Sequence, residues 1–330
     1  MENKDVCLKK AIKDGYVPED FYSTTNLPTK IRLNGEWILV EGQRMDALIV
    51  VKDGHAVATK LRDVHQGDLV ACGQEGIHRF DPTKEHDDSF GFMNNLVSSE
   101  RRNDLTIQRL AKWLVEEKKQ ITFVSGPIIV HSGAVEHMEY LMRKGFVKCL
   151  LGGNAVAVHD MERAFFDTSL GINKNTGLPE KNGYTHHMRT INRINGCGSI
   201  QAAVDQGVLK SGIMYTCIKE NIPFVLAGSL RDDGPLPETK MNMIEAQALY
   251  SHHLHQADCV IVLGTMLHGI ASGNMLPATI PMICVDIHAG TVTKLADRGS
   301  GQATPIVTDA GLFMELLHYQ IEKLLASSED

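Results

Sequence analysis

Short apolar runs without alternation recur down the C-terminal two-thirds of the chain. Most are separated by stretches of helical periodicity, and this rhythm restricts the fold more than any other feature. Strands are expected at 121–125 (ITFVS), 147–151 (VKCLL), 223–227 (PFVLA), 258–263 (DCVIVL), 281–287 (PMICVDI) and 304–308 (TPIVT). A strand that is apolar on both sides has both faces covered, the condition of a parallel sheet between layers of helices. Helices are expected at 133–144, 188–206, 210–221, 240–256 and 309–325. A further one lies in LTIQRLAKWLVEEKKQ from 105, where Leu105, Leu110, Trp113 and Leu114 share a side. The alternation implies right-handed crossovers and a doubly wound α/β sheet of Rossmann type.

Before residue 105 the texture is β and turn. IRLNGEWILVEG holds two strand-like runs around Asn34-Gly35, and ALIVVKDGHAVATKL repeats the pattern around Asp53-Gly54, both hairpin signals. GDLVACGQEGIHRF reads as a further strand pair. A small antiparallel β domain is expected over 24–80, with the first dozen residues a short helix or tail and the polar stretch 81–104 a connecting loop. The division is 1–104 and 105–330.

Composition narrows the class of function. Apolar residues make up 43% and charged residues 22%, enough for an ordinary core, and the formal charge of −7 argues against nucleic acid or an anionic membrane as partner. The seven cysteines, at 7, 72, 149, 197, 217, 259 and 284, are odd in number and contain no CxxC, so neither a disulfide framework nor a zinc site is expected. Cys149, Cys259 and Cys284 read as buried thiols of a reducing, cytoplasmic compartment. The charged N-terminus has no apolar h-region, and no run is long enough to span a bilayer.

In open parallel sheets, ligands bind beyond the carboxyl ends of the strands. Five such ends carry Gly, Asn or Asp: Gly152-Gly153-Asn154-Ala155; Gly228 to Gly234 with Asp232 and Asp233; Gly264-Thr265-Met266-Leu267-His268-Gly269; Asp286; and Asp309-Ala310-Gly311. Glycines let backbone N–H groups approach a pyrophosphate, and a strand-end carboxylate suits ribose hydroxyls. Each alone has a plainer reading, a turn or a helix cap. Together they point to a nucleotide-type ligand, read here as a dinucleotide, although the GxGxxG fingerprint is absent. His252 and His255 stand one helical turn apart and read as a solvated face, since no third zinc ligand accompanies them. The stretch before His186-His187 is a surface excursion or a lid. Ser98 to Arg102 is a helix start or brings Arg101 to a cleft. Arg189 and Arg193 share a helix face, which suits either surface ion pairs or a clamp for a substrate carboxylate.

FYSTTNLPTKIRLNGEWILVEGQRMDALIVV (21–51) resembles the region shared with lysine-ketoglutarate reductase/saccharopine dehydrogenase proteins. FGFMNNLVSSERRNDLT, GPIIVHSGA, LLGGNAVAVHDME, HHMRTINRI, VLAGSLRDDGPLP, VLGTMLHGIASGNMLPA and VDIHAGTVTKLADRGSGQA resemble the archaeal-type ornithine cyclodeaminases, and the likeness runs from about 15 to 318. The same module is similar to the C-terminal domain of the cyanobacterial arginine dihydrolase/ornithine cyclodeaminase fusion. Archaeal members carry a ferredoxin-like segment upstream of the β domain, which here begins almost at once.

The resemblance implies NAD⁺ on a deoxyhypusine synthase-like sheet. It implies cofactor contacts at Asn154, Ala155, Asp233, Thr265, Met266, Leu267, His268, Asp286, Asp309 and Ala310, beside the strand-end Gly153. It further implies a homo-oligomer that converts L-ornithine to L-proline and ammonia, in proline biosynthesis or arginine/ornithine catabolism. The expected roles are Asp233 as base, with Asp232 or Glu245 as substitutes, Arg189 or Arg101 on the α-carboxylate, and Asn94 and Asn95 on the amines. The β domain is expected to wall the active site. Two other outcomes are compatible: an NAD-dependent imine or opine-type amino-acid dehydrogenase, and a non-catalytic NAD-binding regulator.

Overall fold

The computed structural model describes residues 4–80, 99–174, 176–232, 234–296 and 303–327, the side chains of 99–102 and 296 aside. The N-terminal module holds seven strands: β1 (Cys7–Lys10), β2 (Thr29–Leu33), β3 (Glu36–Leu39), β4 (Leu48–Lys52), β5 (His55–Thr59), β6 (Leu69–Cys72) and β7 (Ile77–Arg79). Both hairpin signals form two-residue turns, with Leu33 opposite Glu36 and Lys52 opposite His55. Both central residues of each turn have positive φ (Asn34 52°, Gly35 86°; Asp53 51°, Gly54 81°), the geometry that matches strand twist.

Two expectations fail here. β6 and β7 do not pair with each other: β6 lies between β1 and β4 in one sheet, and β7 joins β2 in another. The positive-φ residues Gly73 and Gly76 turn the chain between the sheets. The first dozen residues supply β1, an edge strand on β6, instead of a helix or tail. Alternation along β4 serves both sides: Ile49 and Val51 enter one apolar cluster, Leu48 and Val50 the other.

The second module contains β8 (Ile121–Ser125), β9 (Val147–Gly153), the small hairpin β10 (Thr168–Ser169) and β11 (Ile172–Asn173), then β12 (Phe224–Ala227), β13 (Cys259–Leu263), β14 (Met282–Asp286) and β15 (Ala303–Val307). All but the hairpin form one six-stranded sheet, every pair of which is parallel. Phe123, Ile261 and Ile283 face one apolar cluster, and Val124, Val262 and Cys284 face the other. The sheet is therefore covered on both sides. Cys149, Cys259 and Cys284 are buried free thiols, and burial pushes those of Cys149 and Cys284 up to about 12.

The helices depart from expectation in several places. The first, Ser99–Glu116, begins within the stretch expected as loop; 81–98 lies outside the described residues. The stretch 188–206 is two helices, His186–Cys197 and Ile200–Asp205, parted by left-handed Gly198 and the capping Ser199. Asn154–Phe166, Met266–Met275 and Ala289–Ala296 are helices that the apolar pattern did not mark. The β module docks on the second module through Asn26, whose Nδ2 donates to Gly273 O at 2.8 Å and Leu276 O at 2.6 Å. No helix among the described residues is long and apolar enough to cross a membrane.

Candidate functional site

The sheet order is β12-β9-β8-β13-β14-β15. From β8 the chain winds outward through β9 and β12, then crosses back to β13 on the other side of β8. Adjacent crossovers leave β8 and β13 in opposite directions, so a crevice opens at their carboxyl ends. A cavity of about 140 Å³ occupies it, lined by Gly126, Pro127, Gly153, Asn154, Asp232 and His268 among others.

Backbone crowding explains the glycines. A Cβ on Gly126 would stand 2.6 Å from Gly264 O, and one on Gly264, at φ 51°, would stand 2.3 Å from Ile128 Cγ2. Helices Asn154–Phe166 and Met266–Met275 both start at this cavity, and neither start has a side-chain cap. Their first N–H groups and helix dipoles therefore favour an anion there. The helix starts at Ser199, Asn242 and Asp309, by contrast, are capped by those side chains.

Hydrogen bonding fixes the tautomer of His268. Tyr250 Oη donates its one proton to Gly152 O at 2.7 Å, so it can only accept from His268 Nδ1 at 3.1 Å. Nε2 is left as an acceptor, beside Gly153. Burial holds the His268 imidazole below its ordinary pKa of 6.5 and so keeps it neutral near pH 7.

The other expected residues are distributed as follows. Asn154 is 5% exposed, and its amide is committed to the 232–239 loop. Its Oδ1 accepts from Leu236 N (3.0 Å) and Thr239 Oγ1 (2.8 Å), and its Nδ2 donates to Asp232 Oδ1 (3.4 Å). Its Oδ1 is thus occupied, leaving its backbone and one Nδ2 proton for a ligand. Asp232 also accepts from Ser229 N at 2.6 Å. Thr265 and Ala155 line the cavity, whereas Met266 and Leu267 do not and are exposed. Asp286, at the end of β14, accepts from His288 N at 2.8 Å. Asp309 caps the helix Ala310–Ala326 through Gly311 N and Leu312 N. Both stand at the carboxyl edge of the sheet but outside the cavity lining.

Asp233, Asn94 and Asn95 lie outside the described residues, as does the side chain of Arg101. Arg189 is exposed on the helix His186–Cys197, and Arg193 lies 4.7 Å over the Phe165 ring. Glu245 is exposed and pairs with Lys240 at 2.9 Å. His252 bonds Gln256, and His255 Nε2 reaches Gln43 O of the β module at 3.3 Å. Among the described residues no group of three or more His, Cys, Asp or Glu is placed to hold a metal.

Sequence reasoning passed over Ser125-Gly126-Pro127, the end of β8 itself, although a Gly-Pro pair directly after an apolar run is a visible signal. It also missed Tyr250. Among the described residues this cavity is lined by residues between 125 and 268, and the β module packs against the far end of helix Met266–Met275, where Met45 N donates to Asn274 O.

Residues 106–317 match the family model described as arginine dihydrolase ArgZ-like, C-terminal, Rossmann fold, and residues 28–107 match its companion first region. An ornithine cyclodeaminase of Methanothermobacter thermautotrophicus is 46% identical over 98% of this chain and 80% of its own length. A LOR/SDH protein of Methanococcus maripaludis superposes with a TM-score of 0.91 at 44% identity, covering 98% of this chain and 99% of that one. AgrE, solved as a ternary complex with ornithine and NAD⁺, superposes with a TM-score of 0.66 at 42% identity over 99% of this chain and 47% of its own. The chain spans about half the length of the bifunctional arginine dihydrolase/ornithine cyclodeaminases it matches.

Proposed function

Because the chain belongs to the ArgZ-like C-terminal family and is 46% identical to an archaeal ornithine cyclodeaminase, we propose that it is an NAD-dependent ornithine cyclodeaminase, converting L-ornithine to L-proline and ammonia. The observation that carries the reading is the meeting of two uncapped helix starts with glycine backbone at the β8/β13 switch point. The residues fit NAD⁺. The N-termini at Asn154 and Met266 suit its pyrophosphate, and the carboxylates of Asp286 and Asp309 at the sheet edge suit ribose hydroxyls. When bound, NAD⁺ would supply the acceptor and later the donor of one hydride, so that ring closure with loss of ammonia involves no net redox.

His268, neutral and with Nε2 unprotonated, offers a hydrogen-bond acceptor on the cavity wall. Asp233 is assigned the proton from the substrate ammonium, and Asp232, its neighbour, lines the cavity. Arg189 is assigned the α-carboxylate. In support, Met188 and Ile191 of its helix come within 4 Å of a Cβ built on Gly234, beside that acidic pair. Asn94 is kept for the substrate amines and Glu245 as the substitute base.

The test is ornithine with catalytic NAD⁺, following proline and ammonia together. NAD-loaded protein that makes no proline sinks the proposal. Steady NADH consumption with a keto acid and an amine would point instead to a net dehydrogenase. Asp233→Asn should lose turnover while retaining NAD⁺.

A further inference from the structure

A second cavity, of about 420 Å³, lies between the β module and helix Met266–Met275. It shares no lining residue with the switch-point cavity. Among the described residues, one wall carries Arg44, Lys60 and Arg62 against a single lining carboxylate, Asp46; Leu267 and Ile270 stand on another. Arg44 is 8% exposed, and among the described residues its guanidinium has no hydrogen-bond or ion-pair partner. Its Nε is fully buried. A guanidinium does not shed its proton in a protein, and a buried unpaired charge is costly.

Asp46 and Asp63 offset this only through space, without an ion pair to the guanidinium. Lys60 and Arg62 share the half-exposed Asp63 at 3.9 and 3.7 Å, and Arg62 Nη2 donates to Gln247 Oε1 at 2.6 Å. Asp46 accepts from Asn274 Nδ2 at 3.3 Å. Burial, then the charge of Arg62, holds Arg44 below its usual range; burial, then both arginines, does the same to Lys60. The loop itself is pinned. Thr24 Oγ1 donates to Arg44 O at 2.7 Å and accepts from Ala47 N at 3.0 Å, and Met45 N donates to Asn274 O at 2.9 Å. The guanidinium is thus held in place over the cavity, where among the described residues no carboxylate forms an ion pair with it and Asp46 and Asp63 act on it only through space.

We propose that this interdomain cavity binds a small dianion, phosphate or dicarboxylate, gripped by the Arg44 fork with Lys60 and Arg62 and flanked by Leu267 and Ile270. Arg presents paired donors in the geometry these groups accept. The excess of cations over the one lining carboxylate suits a doubly charged ligand.

Calorimetric titration of the full chain with inorganic phosphate, and separately with malonate, tests this. Ionic strength is held fixed and NAD⁺ is kept saturating, so that the switch-point loops are filled. One saturable site is expected for at least one of the two anions. Tighter binding of phosphate assigns a phosphate ligand, and tighter binding of malonate a dicarboxylate. Arg44→Met should weaken binding by about tenfold or more, the scale of a lost charge-assisted hydrogen bond. Lys60→Gln, at a partly exposed side chain, tests the site if the Arg44 variant fails to fold. It should also weaken binding while leaving NAD⁺ affinity unchanged. No saturable binding of either anion, or binding undiminished in the folded variants, overturns the proposal.

Discussion

Tyr250 has one proton to give and two polar neighbours, and that imbalance sets the chemistry of His268. Tyr250→Phe would leave Gly152 O and His268 Nδ1–H without this partner. The expected cost is about 1–3 kcal/mol of stability, with weaker NAD⁺ binding, because the imidazole is then free to present either nitrogen. Unchanged NAD⁺ affinity by calorimetry would refute the positioning role. Protonation of His268 is opposed by burial, so its folded pKa lies below 6.5. Its contribution is full above pH 6.5 and is lost as pH falls through the lowered value. Asp160 has the opposite sign. It is buried beneath the helix Ile213–Lys219, accepting from Ile213 N and Met214 N at 2.8 Å each, yet burial pushes its carboxyl up to about 7 from 3.8. The folded state holds this proton more tightly, so stability is full below about pH 4 and declines as pH rises through about 7. Asp160→Asn should flatten that decline. Urea unfolding at pH 5 and pH 8 would show it as a smaller difference in the variant, and an equal difference would count against the assignment.

Strands were legible because all but the edge strand β15 are largely apolar on both sides, and the six expected runs match the six observed to within two residues. Helices were legible only where one side meets water. Asn154–Phe166 buries Val156, Ala157, Val158, Asp160, Met161 and Glu162, so its sequence carries no clean helical period. Met266–Met275 was obscured by glycines. A Cβ on Gly269 would stand 2.9 Å from Val262 Cγ1, so the residue serves close packing on the sheet, not a loop. The carboxyl-edge residues of the site were readable from strand ends. The partnership of Tyr250 with His268 was not, since it joins two helices through space, and the Asn154 Oδ1 is engaged by a loop some 80 residues on. The close approach of the β8 and β13 loops gives a direct test at this level. Gly126→Ala would drive a methyl into Gly264 O, with backbone on both sides and no flexible side chain to yield. Destabilisation of about 1–3 kcal/mol in chemical unfolding is expected, with loss of NAD⁺ affinity beyond that of Tyr250→Phe. A stable variant with normal NAD⁺ binding would show that the crevice tolerates widening.

Among the described residues, the two modules meet at a joint that depends on few side chains. Asn26 is 1% exposed and lies between Thr24, whose hydroxyl pins the Arg44 loop, and the start of β2. Its Nδ2 serves Gly273 O and Leu276 O, carbonyls at the end of helix Met266–Met275, and its own carbonyl accepts from Ala278 N at 3.0 Å. One side chain thus caps a helix of the NAD-type sheet with the body of the β module. The start of that helix lines the switch-point cavity and its outward face lines the cationic one. Asn26→Ala removes the Nδ2 donor from both carbonyls in a buried place, at a cost of about 1–3 kcal/mol. The backbone bond from Ala278 survives, so docking should be loosened, not abolished. Calorimetric unfolding is then expected to broaden or split, the β module separating before the sheet. Hydrogen exchange should quicken at 273–278 and in the 43–47 loop while the strands β8 and β13 stay protected. A single sharp transition lowered as a whole would mean that the modules unfold as one unit, and that Asn26 contributes to a shared core instead of a joint between two.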